Sequence, residues 1–315
     1  MRKSLLVMAI AIAWLASCAD PLALPLNDVQ TPAGPVDQAE LDADFADVLA
    51  ALGKPEAAIT MAAFDAKYGT SLSADFAEQL AQSRFGGDSN YPPLTTMPFA
   101  VDGAVYLSGG SDDLAGSVIG WVAPKSLPGG FYHGAILDQA KFDPNNLDAP
   151  ALQSAIAKGA GYESANDWMA KVNAAVLNPN FAVNAARLNQ AQATVDYYCA
   201  LPAGQQAYGF FKNYVNIFNV VTKQDRYWWY CTKVVWEVYQ HYGLDIDSND
   251  HRVDFSSSGL YSLVSAYYKT LYFWSPSRAR AAIDSYIAEA RGKIVLAEEI
   301  LLSPHFTKVF EAIRK

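Results

Sequence analysis

The sequence predicts an α+β chain, on three observations. Helical periodicity occupies both ends, strand and turn signals fill the middle after Tyr91-Pro92-Pro93, and an amphipathic helix headed by a cysteine is set inside that middle. The expected divisions are 1–17 as an export signal, 18–36 as a tether, 37–90 as a small acidic helical region, 91–274 as the functional domain and 275–315 as C-terminal helices.

Met1-Arg2-Lys3 precede an apolar run from Leu5 to Leu15 and then Ala16-Ser17-Cys18. A basic start, a short apolar centre and small residues at the end make a secretory signal. The run is too short to span a bilayer, which takes about 20 apolar residues. Leu15-Ala16-Ser17-Cys18 is similar to the bacterial lipobox. That likeness implies cleavage before Cys18, acylation of its thiol, and a mature chain held to the membrane by acyl chains without spanning it. The alternative is ordinary secretion with cleavage after a small residue. Ala19, not Asp, follows the cysteine; in enteric-type bacteria this points to the outer membrane, with the protein facing the periplasm. Losing Arg2 and Lys3 takes the formal net charge from −9 to −11. So acidic a chain does not seek nucleic acid. Its 18 Tyr and 7 Trp suit either a dense core or the lining of a site for an apolar or sugar-bearing ligand.

Residues 19–36, with Pro21, Pro25, Pro32 and Pro35, read as an extended tether. Three helices are expected next, over 37–52, 55–68 and 73–83, the first ended by Gly53 and the last by Gly86-Gly87. They carry no catalytic motif and serve to space or cover the rest. Residues 100–107 read as a strand stopped by Ser108-Gly109-Gly110, 113–122 as a short helix and 124–130 as a loop. Phe131 to Leu137, apolar but for His133 and Gly134, reads as a buried strand. Short strands are expected at 160–164 and 174–177, a long helix at 180–198 and an aromatic segment at 210–221. Residues 259–274 are strongly aromatic and are assigned to no element. Residues 275–315 read as two helices, capped by Ser275 or Ser277 and separated by Ser303-Pro304.

The stretch Asp225 to Gly243 stands out. From Cys231, the residues Val234, Val235, Tyr239 and Tyr242 recur at helical spacing, Trp236 and Val238 widen the stripe, and Gly243 supplies the left-handed stop. A cysteine in the first turn meets unpaired backbone N–H groups and the positive end of the helix dipole, both of which favour thiolate. The same residue also reads as a buried core cysteine. A thiolate nucleophile needs a base, and the chain has 4 histidines. His241 lies three turns along the helix, ~15 Å from Cys231, and is placed to interact with the helix C-terminus. His251 falls in a polar loop and His305 at a helix start, both on the surface. His133 opens the buried strand after Gly129-Gly130; it reads as a satisfied core histidine or as the base.

The segments YHGAILDQ, KGAGYES, GQQAYGF and YCTKVVWEVYQHYGLDI resemble successive motifs of the circularly permuted papain-like enzymes of the NlpC/p60 superfamily, of the YiiX and YaeF type. In that family the histidine precedes the cysteine in the chain. The family histidine matches His133; its Tyr-Cys-Ser-x-x-Val-Trp-x-x-Tyr helix matches Tyr230, Cys231, Val235, Trp236 and Tyr239, with Thr232 for Ser; its Gly…Tyr motif matches Gly204 and Tyr208. The resemblance covers residues 100–250 and implies a small antiparallel sheet with the nucleophile helix packed on it. It makes Cys231 the nucleophile, His133 the base and Glu163 the residue that orients the imidazole. Gly209 stands where the family carries an acidic or amide residue, and a polar insertion, Lys141 to Pro150, lengthens the His133–Glu163 spacing. Asp138 is therefore a rival third member, although an odd offset on a strand puts it on the opposite face from His133. The Cys231 N–H would stabilise an oxyanion with help from the Tyr230 hydroxyl. Tyr208, Tyr227, Trp228 and Trp229 either line an acyl pocket or pack in the core.

The implied reaction is cleavage of an amide bond in peptidoglycan stem peptides or a related cell-wall peptide, with no cofactor. Two other readings stand beside it: lipid acyl hydrolysis or transfer of the lecithin–retinol acyltransferase type, and a non-catalytic envelope module in which Cys199 and Cys231 form a disulfide. The loop Asp245 to Asp250 is similar to a calcium loop but has Asp250 at the sixth position, where Gly is required, and Ser256 at the twelfth, where Glu is required. It reads as a solvated acidic loop.

Overall fold

The computed structural model describes residues 65–67, 69–71, 74, 91–109, 123–156, 159–199, 207–208, 220–225 and 228–314. The export signal, Cys18, the tether, nearly all of the acidic helical region, the helix expected at 113–122, most of 210–221 and Tyr227 lie outside the described residues.

The elements run β1 (Val105–Gly109), β2 (Phe131–Leu137), β3 (Pro150–Ile156), β4 (Gly159–Ser164), α1 (Ala165–Met169), β5 (Asn173–Pro179), α2 (Ala185–Cys199), β6 (Ala207–Tyr208), β7 (Trp228–Trp229), α3 (Cys231–Tyr242), α4 (Gly259–Leu271), α5 (Pro276–Lys293), α6 (Ala297–Leu301) and β8 (Phe306–Ala312). The architecture is α+β. Six strands form one antiparallel sheet in the order β4-β3-β2-β1-β5-β8, and β6 and β7 make a separate short parallel pair.

Side chains alternate across the sheet, so each face gathers its own core. Tyr106, Ala135, Leu137, Leu152, Ala174 and Val176 point to one face, where they meet Trp168 of α1. Val105, Leu107, Ile136, Ala155, Ala175 and Leu177 point to the other, against Leu188, Ala191 and Val195 of α2 and Val234, Val235, Val238 and Tyr239 of α3. Each fully buried side chain of this size contributes roughly 1.5–3 kcal/mol. A third core joins α4 to α5 through Leu260, Val264, Tyr267, Tyr268, Ile283 and Tyr286.

Four segments differ from expectation. The strand expected over 100–107 starts later and runs through its expected stop, as β1 (Val105–Gly109). The undecided stretch is the helix α4, started by Ser258, whose side chain accepts from the Tyr261 N–H. Strand β3 was not foreseen, because Gln153 and Ser154 interrupt its apolar residues; both are buried yet hydrogen-bonded, Gln153 to the Gln192 carbonyl and Asp196, and Ser154 to the Gly134 carbonyl. The C-terminal stretch is not helical throughout. After α5 and the five-residue α6 it ends in β8, whose Phe310 pairs with Val176 of β5. The β-branched and aromatic run Phe306-Thr307-Lys308-Val309-Phe310 prefers an extended backbone once Ser303-Pro304 has ended the helix.

The path into β2 depends on one close approach. A Cβ built on Gly109, at the end of β1, would overlap the carbonyl oxygens of Gly129 and Gly130, the two residues that launch β2. Gly109→Ala therefore displaces that lead-in and is expected to cost about 1–3 kcal/mol, as overpacking does. Urea unfolding should show a lower midpoint at unchanged slope; an unmoved midpoint would mean that the loop yields without strain.

Candidate active site

Cys231 is the first residue of α3. Its N-cap, Tyr230, is extended (φ −138°, ψ 160°) and gives no side-chain hydrogen bond to the helix. The N–H groups of the first turn therefore remain beside the thiol, at the positive end of the helix. The helix stops where the sequence places the stop, at Gly243 with φ 96°.

Three contacts fix the start of this helix. Lys233 is completely buried; its ammonium donates to the Asp225 carbonyl and, at 2.8 Å, to the Trp228 carbonyl, bracing the segment that delivers Cys231. Thr232 Oγ1 donates to the Val295 carbonyl at 2.7 Å, and the Tyr230 hydroxyl accepts from the Val295 N–H at 2.9 Å. The first turn of α3 is thus tied to the α5–α6 connection.

Cys231 is 1% exposed, with Sγ 3.6 Å from the Tyr132 carbonyl oxygen. The next residue along β2 is His133, whose ring is close enough to Cys231 for the two to interact electrostatically. His133 Nε2 lies 2.7 Å from Glu163 Oε1. The second Glu163 oxygen accepts from Lys171 Nζ at 3.1 Å. The His133 ring stacks on Trp168 with centroids 5.4 Å apart and planes 12° from parallel, and Lys171 Nζ sits 5.4 Å from the same indole. His133, Glu163 and Lys171 thus surround one buried tryptophan.

The charges follow from this packing. Burial opposes the imidazolium of His133, but the Glu163 carboxylate, and then Cys231, outweigh it and raise the pKa from 6.5 to about 9. Burial likewise opposes the Glu163 carboxylate, but His133 and Lys171 together pull it from 4.5 to about 2. The stability that His133 contributes is complete below 6.5 and is lost as pH rises through about 9; that of Glu163 is complete above 4.5 and is lost as pH falls toward about 2.

Asp138 belongs elsewhere. Its carboxylate pairs with Lys141 at 3.0 Å and lies 3.5 Å from the Tyr162 hydroxyl, in a cluster with Asp196 that ties the sheet edge to α2. Cys199 and Cys231 are both free and buried, so the disulfide considered above is not formed. The physical reason is direction: Cys199 ends α2 among Asp196, Lys233 and Glu237, whereas Cys231 turns toward β2. Burial, then Asp196, holds the Cys199 thiol well above its ordinary value. Trp229, read as a pocket residue, packs in the core at 2% exposure, 4.8 Å from Lys233 Nζ. Tyr208 pairs by its backbone with Trp229; its side chain is outside the described residues.

Tyr230 and Cys231 line a small cavity of about 10 Å³, the room of one water-sized sphere, with Tyr132, Thr232, Ala123, Val295, Leu296 and Ala297. Of the other histidines, His241 faces Glu237 at 3.5 Å in the last turn of α3, and the His251 side chain is 93% exposed. The acidic loop is not solvated throughout: Asp245 accepts from Trp236 and Asp250 pairs with Arg252, but the Asp247 side chain is fully buried against Lys223. Among the described residues no group of three or more His, Cys, Asp or Glu is placed to hold a metal ion.

Four residues of this neighbourhood escape sequence reasoning. Trp168, Lys171 and Lys233 carry no motif. Glu298 is 1% exposed and accepts from the Ser126 N–H and Oγ and, at 3.0 Å, from the Leu127 N–H. It holds the loop before β2 against α6; the only hint in the sequence is a pair of acids at the start of α6.

The chain matches no protein-family model and no curated protein. Among solved structures it is similar to the metalloprotein yiiX from Escherichia coli O157:H7, at 17% identity and a TM-score of 0.42, over 68% of this chain and 99% of that one.

Glu163→Gln keeps the shape of the side chain and removes its charge. The ring resonances of His133, followed by NMR, should titrate near about 9 in the parent and at least one unit lower in the variant, a change of about 1.4 kcal/mol in the imidazole–carboxylate interaction. An unmoved midpoint would show that Glu163 does not hold the proton on His133.

Proposed function

We propose that the chain is a thiol hydrolase of permuted papain-like architecture that cleaves an amide bond through a thioester. The observation that carries this reading is the 2.7 Å contact of His133 with Glu163, one residue along β2 from the Tyr132 carbonyl that Cys231 Sγ approaches at 3.6 Å, with Cys231 at the first residue of a helix that has no side-chain cap. Cys231 sulfur, as thiolate, attacks the carbonyl carbon. The oxyanion forms beside the α3 N–H groups, which gain strength as its charge develops. The His133 imidazolium gives its proton to the leaving amine nitrogen as the C–N bond breaks, leaving a thioester on Cys231. Neutral His133 then takes a proton from water, whose oxygen attacks the thioester carbon. Expulsion of the thiolate restores the imidazolium–thiolate pair. Glu163 touches no reacting atom; it orients the ring and supports its positive charge.

The substrate class, peptidoglycan stem peptides or related cell-wall peptides, rests on the family resemblance and on the export signal and acylation expected at Cys18, which support a location in the cell envelope. A lipid acyl group is the second reading, favoured by the apolar walls at Ala123, Val295, Leu296 and Ala297.

Cell-wall fragments incubated with the protein should release new amine groups. Cys231→Ala should lower that rate by roughly 10³-fold or more, while Cys199→Ala should leave it within a few-fold. Equal cleavage by Cys231→Ala and parent would sink the assignment. Release of fatty acid from phospholipid, with no amine released from cell wall, would replace the amidase with the lipid enzyme.

A further inference from the structure

The hairpin of α4 and α5 turns at Tyr272–Ser275, and there Phe273 and Trp274 are 78% and 61% exposed. This tip is built, not frayed. Tyr272 N–H donates to the Tyr268 carbonyl and Ser275 N–H to the Tyr272 carbonyl at 2.8 Å. Trp274 meets Phe273 edge-on at 5.1 Å and Tyr272 at 5.9 Å, and Tyr272 in turn stacks on Tyr268 in the hairpin core. Two large rings are thus held in solvent by a scaffold whose interior is fully packed.

The charge around them is the reverse of the chain's. Against a net charge of −9, the stretch from Phe255 to Ile283 has no Asp or Glu and carries Lys269, Arg278 and Arg280. All three are exposed and lie within two turns of the tip, Lys269 in the last turn of α4 and the arginines at the start of α5. Arg280 has one carboxylate, Asp284, at 3.9 Å. Cations at a helix N-terminus oppose the helix dipole, so helix stability does not account for the arginines. An anionic surface beyond the tip does.

We propose that this tip docks on an anionic lipid bilayer, with Phe273 and Trp274 in the interfacial layer and Lys269, Arg278 and Arg280 against lipid phosphates. Aromatic rings settle at headgroup depth. Nearby cations add attraction to anionic lipid, and their long stems let the charge reach the phosphates. Two exposed side chains are far too few for a stable protein interface, which takes about 800 Å² per partner, but they suffice for shallow insertion. No helix among the described residues is long and apolar enough to cross a membrane, so this contact lies on the surface. It is independent of the active-site reading and of acylation at Cys18. Where the acyl anchor is present, the tip adds a second point of contact, which fixes the orientation of the domain.

The test is vesicle flotation at low ionic strength, with the full chain carrying Cys18→Ser so that no acyl anchor forms. The parent should bind vesicles of phosphatidylcholine and phosphatidylglycerol roughly tenfold more strongly than vesicles of phosphatidylcholine alone. Phe273→Ser/Trp274→Ser should lose roughly tenfold or more of that binding with an unchanged circular dichroism spectrum. Lys269→Gln/Arg278→Gln/Arg280→Gln should lose the preference for anionic vesicles. The apolar run near the N-terminus is common to all variants and cancels in the comparison. Undiminished binding by the Phe273/Trp274 variant overturns the proposal. So does a parent with no preference for anionic lipid, or a parent that self-associates through the tip while its vesicle binding ignores the substitutions.

Discussion

A positive charge sits on a nearly buried imidazole because a carboxylate stands 2.7 Å from it. Burial alone drives His133 toward its neutral form, and burial alone drives Glu163 to take up a proton; each holds the other charged. Such a pair tolerates little change. Removing one partner leaves an uncompensated buried charge, a loss of about 3–5 kcal/mol. The surroundings are arranged to prevent that. Lys171 binds the second oxygen of Glu163, and Trp168 fixes the plane of the imidazole. Both come from the short passage between β4 and β5, so the connection that carries the chain across the sheet also builds the back of the site.

The two halves of the site arrive from opposite faces. Trp168 and Glu163 lie with Ala135, Leu137 and Leu152 on one face, and α3 packs against Ile136 and Leu107 on the other. They meet near the start of β2. There the ladder between β2 and β3 has run out among the described residues, which pair only Ile136 with Gln153 and Leu137 with Leu152. The Ser154 hydroxyl, donating to the Gly134 carbonyl, stands in for a missing ladder bond. An incomplete pairing, costly in a structural sheet, is what lets a side chain of one face reach a helix end on the other.

This geometry explains what the sequence discloses and what it withholds. Phe131 to Leu137 is legible because, His133 and Gly134 apart, a strand buried on both faces reads as an apolar run. The helix from Cys231 to Gly243 is legible because periodicity, start and stop all agree. Glu163 is reached only through the family likeness. The register sets it opposite Leu152, and Leu152 opposite Leu137, four residues along β2 from His133. On a flat sheet that offset alone is ~13 Å. The contact therefore depends on the path of three strands, which no pattern in one of them encodes. Lys233 is hidden for another reason. A lysine among valines on a helix reads as the polar face, yet its ammonium is wholly buried against two carbonyls, a pairing defined by a turn and not by spacing.

The polar groups around the thiol are turned away from it. Thr232 and Tyr230 are both committed to the backbone of Val295, Glu298 to the loop at Ser126 and Leu127, and Glu299 to the Leu296 N–H. What remains toward the sulfur is the Tyr132 carbonyl, the apolar wall of Ala123, Val295, Leu296 and Ala297, the N–H groups of the helix start, and His133. In such surroundings a negative charge on sulfur has two supports, the imidazolium and the helix end. The second is fixed by the fold. The first exists only while His133 keeps its proton, and it keeps it because of Glu163. The charge on His133 in β2 therefore answers to a carboxylate on β4, two strands away in the sheet.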